Sequence, residues 1–174
     1  EEFGAYLYWE PLALFDFTAS VAARQTITAF DSGFYEVSEY GADYDELSDS
    51  SEDKARAGFR FTFAPRLKAA YAGVIMANEL KIDVFDFGSN VSNPGERYFY
   101  EPAYDTVIAF RETVVANTLT ILYTVTPGLR LGGQYFLRHV ADADVTNHRL
   151  NALGIYTRQL GENVSFFGAL LAGS

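Results

Sequence analysis

Apolar and polar side chains alternate along this chain with a period of two. Ala57, Phe59, Phe61 and Phe63 are interleaved with Arg56, Gly58, Arg60 and Thr62. Leu129, Leu131, Gly133, Tyr135 and Leu137 are interleaved with Arg130, Gly132, Gln134, Phe136 and Arg138. A β-strand sends successive side chains to opposite faces, so each segment has one apolar face and one face that carries arginines. A soluble sheet buries the first and wets the second. A transmembrane barrel turns the apolar face to lipid and keeps the polar face around a lumen. No stretch of a dozen residues repeats apolar positions at i, i+3, i+4 and i+7 between two caps, so helices are not expected.

Turn residues divide the pattern into predicted strands at Phe3–Val21, Gln25–Val37, Lys54–Phe63, Leu67–Phe87, Tyr104–Val125, Leu129–His139, His148–Arg158 and Asn163–Ala172. The longest segments have candidate bulges or turns near Pro11, Asn78 and Asn117. Short connections at Ala22-Ala23-Arg24, Ala64-Pro65-Arg66, Thr126-Pro127-Gly128 and Gln159–Glu162 alternate with long ones at Ser38–Asp53, Gly88–Ala103 and Val140–Asn147. Antiparallel strands place alternate connections at opposite ends. All short turns are therefore expected on one rim and all long loops on the other, the asymmetry of outer-membrane barrels. The expected fold is an all-β, antiparallel transmembrane β-barrel of about eight or more long strands. Residues 1–174 are read as a single barrel domain or as part of a larger barrel.

Composition narrows the choice of solvent. Half of the 174 residues are hydrophobic, yet no run reaches the roughly 18–20 uncharged apolar residues of a membrane helix. The nearest candidate, Thr113–Leu129, contains five threonines, an asparagine and a Pro-Gly. No secretory signal is recognisable, and the opening Glu1-Glu2-Phe3 is what a cleaved mature protein or a fragment is expected to show. Tyrosines recur near strand ends (Tyr71, Tyr123, Tyr135, Tyr156), where membrane interfaces favour amphipathic rings. Cysteine is absent, which excludes disulfides, thiolate metal sites and thiol nucleophiles. A net charge of −10 argues against nucleic acid, whose phosphates need a basic stripe.

The half from Leu119 to Leu171 resembles bacterial outer-membrane β-barrel proteins of the porin type. The strand-turn-strand units Tyr123-Thr-Val-Thr-Pro-Gly-Leu-Arg-Leu-Gly-Gly-Gln-Tyr135 and Leu153-Gly-Ile-Tyr-Thr-Arg-Gln-Leu-Gly-Glu-Asn-Val-Ser-Phe-Phe167 carry the resemblance. It implies a bacterial outer-membrane location and a passive diffusion channel or structural envelope component. Members usually end on a strand with a terminal aromatic, whereas this sequence ends Ala172-Gly173-Ser174. The alternation also leaves both ends on the long-loop rim. Strands beyond either end are therefore expected.

Parity then assigns the faces. Phe59, Phe61, Phe63, Leu129, Leu131, Tyr135 and Leu137 are expected to face lipid, and Lys54, Arg56, Arg60, Lys68, Arg130, Gln134 and Arg138 to line the pore. A charge at mid-depth on the lipid side would cost roughly 2–4 kcal/mol. The inward guanidiniums either bias an open passage toward anions or pair with inward carboxylates such as Asp16, Asp31, Asp83 or Glu112 and fill the interior. Eight carboxylates between Glu36 and Asp53 suggest hard-cation binding or a solvated acidic loop. His139 and His148 flank Asp142 and Asp144 and raise the idea of a metal site, but no metal and no cofactor is expected.

No Gly-x-Ser-x-Gly elbow, phosphate loop or His-Glu-x-x-His is present, so the chain is not read as an enzyme. The expected partners are membrane lipid and small solutes or ions. Assembly as a homo-oligomer or as a subunit of a larger envelope complex is left open. The competing reading is a soluble, secreted all-β barrel or sandwich that binds an apolar ligand or a partner subunit. In that reading Phe59, Phe61 and Phe63 line a dry interior and the arginines face water.

Overall fold

The computed structural model describes residues 2–26, 36–37, 56–88, 98–101, 104, 106–159 and 165–173. Side chains are described for the same residues except 2, 25–26, 36–37, 56, 100, 158–159 and 165–173. Among the described residues there is no helix. Strands β1 (Glu2–Leu12), β2 (Phe15–Thr26), β4 (Arg56–Tyr71), β5 (Val74–Asp86), β8 (Arg111–Thr126), β9 (Leu129–Val140), β10 (Val145–Gln159) and β11 (Ser165–Gly173) build the main sheet. Three short strands, β3 (Glu36–Val37), β6 (Tyr98–Glu101) and β7 (Thr106–Ala109), form a second sheet.

The main sheet has eight strands in the order β1-β2-β4-β5-β8-β9-β10-β11, every neighbouring pair antiparallel. Among the described residues β1 pairs with β2 alone and β11 with β10 alone, so the sheet is open and is not closed into a barrel. This corrects the expected closure. The all-β antiparallel architecture stands, with two edges whose outward backbone groups have no strand beside them.

Two of the expected short connections are strand interior. Ala22-Ala23-Arg24 pairs with Gly4, Phe3 and Glu2 on one side and with Arg60, Phe59 and Gly58 on the other. The chain turns earlier, at Ala13-Leu14, after a register shift between Trp9 and Leu12 that brackets Pro11. Likewise Ala64-Pro65-Arg66 continues β4, and the turn falls at Ala72-Gly73. Both turn residues have positive φ, 49° and 83°, as a two-residue hairpin loop matched to the strand twist requires. Pro65 pairs with Phe17 of β2, while the ladder to β5 steps from Phe63↔Ile82 to Arg66↔Glu79. A proline lacks the N–H for one ladder bond, and β4 is long enough to lose it. No break occurs at Asn78 or Asn117, which sit inside continuous ladders.

The turn at Pro127-Gly128 lies where the sequence places it, with Gly128 at φ 90° in the position of a type II turn that needs glycine. Ala13-Leu14, Ala72-Gly73 and Pro127-Gly128 share one end of the sheet, the turn rim. The β2-to-β4 connection, the β5-to-β8 connection and Ala141–Asp144 share the other, the loop rim. Val145–Asn147, expected as loop, opens β10. The expected strand Tyr104–Val125 divides into β7 and β8. Loop Ser38–Asp53 and residues 160–162 of the expected turn Gln159–Glu162 lie outside the described residues.

A buried cluster of Phe85, Phe87, Phe99, Tyr104, Ile108, Phe110, Val114, Ala116 and Val140 joins the two sheets. Its main-sheet members Phe85, Val114, Ala116 and Val140 occupy the face that also carries Arg60 and Arg138, at the loop-rim end. The β5-to-β8 connection therefore folds over the polar face. The apolar core of this protein is a loop packed on that face.

Candidate functional site: the charged inner face of the sheet

The register divides the main sheet into two chemically distinct faces. Arg60, Lys68, Arg130, Gln134 and Arg138 share one, called inner here. Phe59, Phe61, Phe63, Leu129, Leu131, Tyr135 and Leu137 share the other. Phe59, Phe61 and Phe63 are about half exposed, at 50%, 49% and 46%. Leu131 and Tyr135 are exposed, and Leu129 and Leu137 are half-buried. Lys54 lies outside the described residues; Arg56 is described by its backbone, opposite Thr26.

On the inner face, one transverse row runs Asp16, Arg66, Glu79, Thr118, Phe136, Arg149. Strand geometry sets directly opposite residues about 5 Å apart, so charges in such a row meet. Asp16, almost fully buried, receives Arg66 Nε at 3.1 Å and Lys68 Nζ at 2.6 Å. Lys68 also reaches Glu10 at 3.1 Å. Asp83 is completely buried, accepts the Thr62 hydroxyl and pairs with Lys81 at 3.0 Å. Lone buried carboxylates would be expensive. Each of these has a cation beside it.

The folded-over connection joins this network. Glu101, buried, forms an ion pair with Arg24 of β2, and the Tyr104 hydroxyl donates to Asp83. Lys81 Nζ stands 5.2 Å from the centre of the Tyr104 ring, a cation–π contact. Burial, and then the hydrogen bond to Asp83, raise the Tyr104 phenol far above its ordinary 10.0. Loop and sheet wall are thus tied by charge as well as by the Phe85–Phe99 packing.

Of the carboxylates expected to neutralise the arginines, Asp16 and Asp83 do pair with inner-face cations, and Asp31 lies outside the described residues. Glu112 accepts the backbone N–H groups of Thr113 and Asp142, at 2.8 and 3.0 Å. Gln134 donates to the Thr120 hydroxyl at 3.3 Å and accepts from Asn151 at 3.5 Å. Glu101 and Tyr104 were not legible as partners. The alternation Tyr98-Phe-Tyr-Glu101 signals a strand, but nothing local says where it packs.

Among the described residues the outer face has charge only toward its ends. Asp86 and Arg111, opposite each other at the loop rim, pair at 3.4 Å. Between the rims, outward polar groups satisfy one another. Asn78 and Asn117 exchange amide hydrogen bonds at 3.1 Å each. The Tyr135 hydroxyl meets His148 Nδ1, and His139 Nδ1 meets the Thr146 hydroxyl at 2.9 Å. The histidines therefore face outward with separate partners. Among the described residues no group of three or more His, Cys, Asp or Glu side chains could hold a metal ion. The acidic run from Ser38 to Asp53 lies outside those residues.

Comparison with protein-family models, with curated proteins and with solved structures gives no match for this chain.

Proposed function

We propose that the chain is a membrane-embedded, porin-like β-barrel component of a bacterial outer membrane that lets small solutes or ions pass without chemical change. The observation that carries this reading is the exposed apolar outer face running from β1 to β10, with the charged and buried groups on the opposite face. Side chains such as Phe3, Leu7, Phe61, Met76, Ile121 and Leu131 stand exposed on it. Contiguous exposed apolar side chains of this kind mark a surface that meets lipid or a partner. From Val84 to Val74 the band covers about 33 Å of strand at about 3.3 Å per residue. A tilt of about 40° brings that close to the about 25 Å apolar band of a barrel wall.

Two further features support lipid as the outer solvent. Trp9, Tyr71, Tyr123 and Tyr156 are exposed on the outer face near the turn rim, where an aromatic girdle belongs. Mutual pairing of Asn78 with Asn117 and of Tyr135 with His148 spares these groups the cost of facing hydrocarbon unsatisfied. The soluble alternative places Phe59, Phe61 and Phe63 in a dry core, whereas the buried cluster lies on the other face.

Hydrocarbon does not tolerate an open sheet edge, so β1 and β11 need partners in the membrane. They run antiparallel to each other across an even number of strands. Closure on each other, on further strands or on other copies therefore preserves the antiparallel order and keeps the loops on one rim. The connection carrying Glu101 and Tyr104 narrows the loop-rim end of the lumen. In this reading the chain has no catalytic role and no cofactor.

Purified protein should need detergent, float with liposomes and migrate differently on gels before and after heating. A monodisperse, detergent-free protein that stays out of the liposome fraction would overturn the reading.

A further inference from the structure

Tyr6 and Tyr8 lie on the face opposite the aromatic girdle. Gly4, Tyr6 and Tyr8 stand across from Ala22, Ser20 and Thr18, which places both rings on the inner face of β1. They are 80% and 47% exposed and take no part in the buried cluster at the loop rim. Strand pairing at the β1 edge uses backbone groups in the plane of the sheet, while side chains stand perpendicular to it. The two rings therefore stay turned to the lumen whatever strand lies beside β1.

Beside them the wall is a floor of short side chains. One row runs Tyr6, Ser20, Thr62 and ends at Asp83, where Tyr104 of the folded-over connection donates; the next runs Tyr8, Thr18, Ala64. Toward the turn rim the floor is bounded by Asp16 and Arg66, joined to Lys68 and Glu10. Arg66 engages Asp16 through Nε, at 3.1 and 3.2 Å to its two oxygens. Its terminal nitrogens, and the hydroxyls of Tyr6, Thr18 and Ser20, have no hydrogen-bond partner among the described residues. The Tyr8 hydroxyl donates to Glu10 at 2.6 Å, which holds that ring in place.

Charge and shape select the ligand. Asp16 and Glu10 compensate Arg66 and Lys68, and Glu79 stands opposite Arg66, so no cation is left over for an anion. An uncharged ligand rich in hydroxyls meets donors and acceptors here. Its slightly positive C–H groups lie against the negative face of an aromatic ring. Saccharides have that chemistry. The Cα atoms of Tyr6 and Tyr8 stand about 6.6 Å apart at about 3.3 Å per residue, close enough for one short saccharide to touch both.

We propose that Tyr6 and Tyr8, with Arg66 and the hydroxyls of Thr18 and Ser20, form a binding site for an uncharged saccharide on the β1–β2–β4 wall of the inner face. The proposal rests on the membrane reading only in taking that face to be wetted. The rings supply the stacking surface, and the paired charges and hydroxyls at its margin orient the sugar.

Saturation-transfer NMR with sucrose and with cellobiose tests the site, on protein held in a detergent that has no sugar headgroup. The wild type should transfer magnetisation saturably to at least one of the two disaccharides. Tyr6→Ala and Tyr8→Ala should each weaken binding by about three- to tenfold, the range of one ring contact. Tyr6→Phe, which keeps the ring, should lose less than Tyr6→Ala, and Tyr123→Ala, on the outer face, should bind as the wild type does. Heat-modifiable migration checks that each variant is folded, and the phenylalanine variant serves if an alanine variant is not. Choline, a cation that tyrosine rings also attract, should not displace the sugar at equal concentration. No saturable transfer to either disaccharide, equal binding by the alanine variants, or displacement by choline would refute the proposal. A protein that floats with liposomes yet binds neither sugar would keep the membrane reading and lose the site. Tyrosine-dependent binding by a protein that stays monodisperse without detergent would keep the site and sink the membrane reading.

Discussion

Single residues carry the distinction between the two faces. Phe61 and Thr62 are sequence neighbours, yet Phe61 is exposed among apolar side chains while Thr62 donates to the buried Asp83. Placing a cation at the outer position, Phe61→Arg, should cost about 2–4 kcal/mol of stability in a bilayer, measured by denaturant-driven unfolding from liposomes. A soluble host would accept that arginine with little change. Tyr104 supplies a pH-dependent counterpart. Its folded phenol is raised above the ordinary 10.0 by burial and by Asp83. The contribution is therefore full below pH about 10 and is lost as pH climbs above that value toward the folded pKa. Between pH 10 and 12 the wild type should lose stability that Tyr104→Phe does not lose. Parallel pH profiles for the two proteins would count against the Tyr104–Asp83 link.

At the scale of elements, the period of two was legible wherever a strand is long and one-sided, as in Ala57–Phe63 and Leu129–Arg138. Which described residues share a face follows from parity alone, so that grouping does not depend on where the turns fall. The turns were misread where chemistry misleads. Pro65 looks like a breaker but lies in β4 at the cost of ladder bonding toward β5, while the plain Tyr-Ala-Gly-Val74 is the hairpin. Packing of the β5-to-β8 connection onto Phe85 and Val114 was illegible because it depends on long-range contacts that no local pattern encodes. The charge network could be read in part: Asp16 and Asp83 were expected partners, whereas Glu101 comes from that connection. The Ala72-Gly73 hairpin is testable by itself. Gly73→Val forces a β-branched residue to φ 83° and should destabilise by about 1–3 kcal/mol. Ala72→Asn, better suited to positive φ, should be neutral or stabilising in the same unfolding assay. The reverse order would contradict a two-residue turn with both φ angles positive.

For the whole molecule, the sidedness of the connections and the two sheet edges with no neighbouring strand among the described residues matter most. Protease added to intact cells should cleave at Ala141–Asp144 and spare Pro127-Gly128, because the two turns lie on opposite rims. Cleavage at Pro127-Gly128 instead would invert or abolish the proposed topology. The central claim is that the apolar face is the lipid face. Its most direct measurement is a spin-label scan of residues 57–63, one position at a time, in protein reconstituted into liposomes. Collisions with lipid-soluble oxygen and with a water-soluble nickel chelate are read at every site. The membrane reading requires oxygen accessibility to oscillate with a period of two, high at 57, 59, 61 and 63 and low at 58, 60 and 62. Equal accessibility at adjacent positions, or high chelate exposure at 59, 61 and 63, would contradict it.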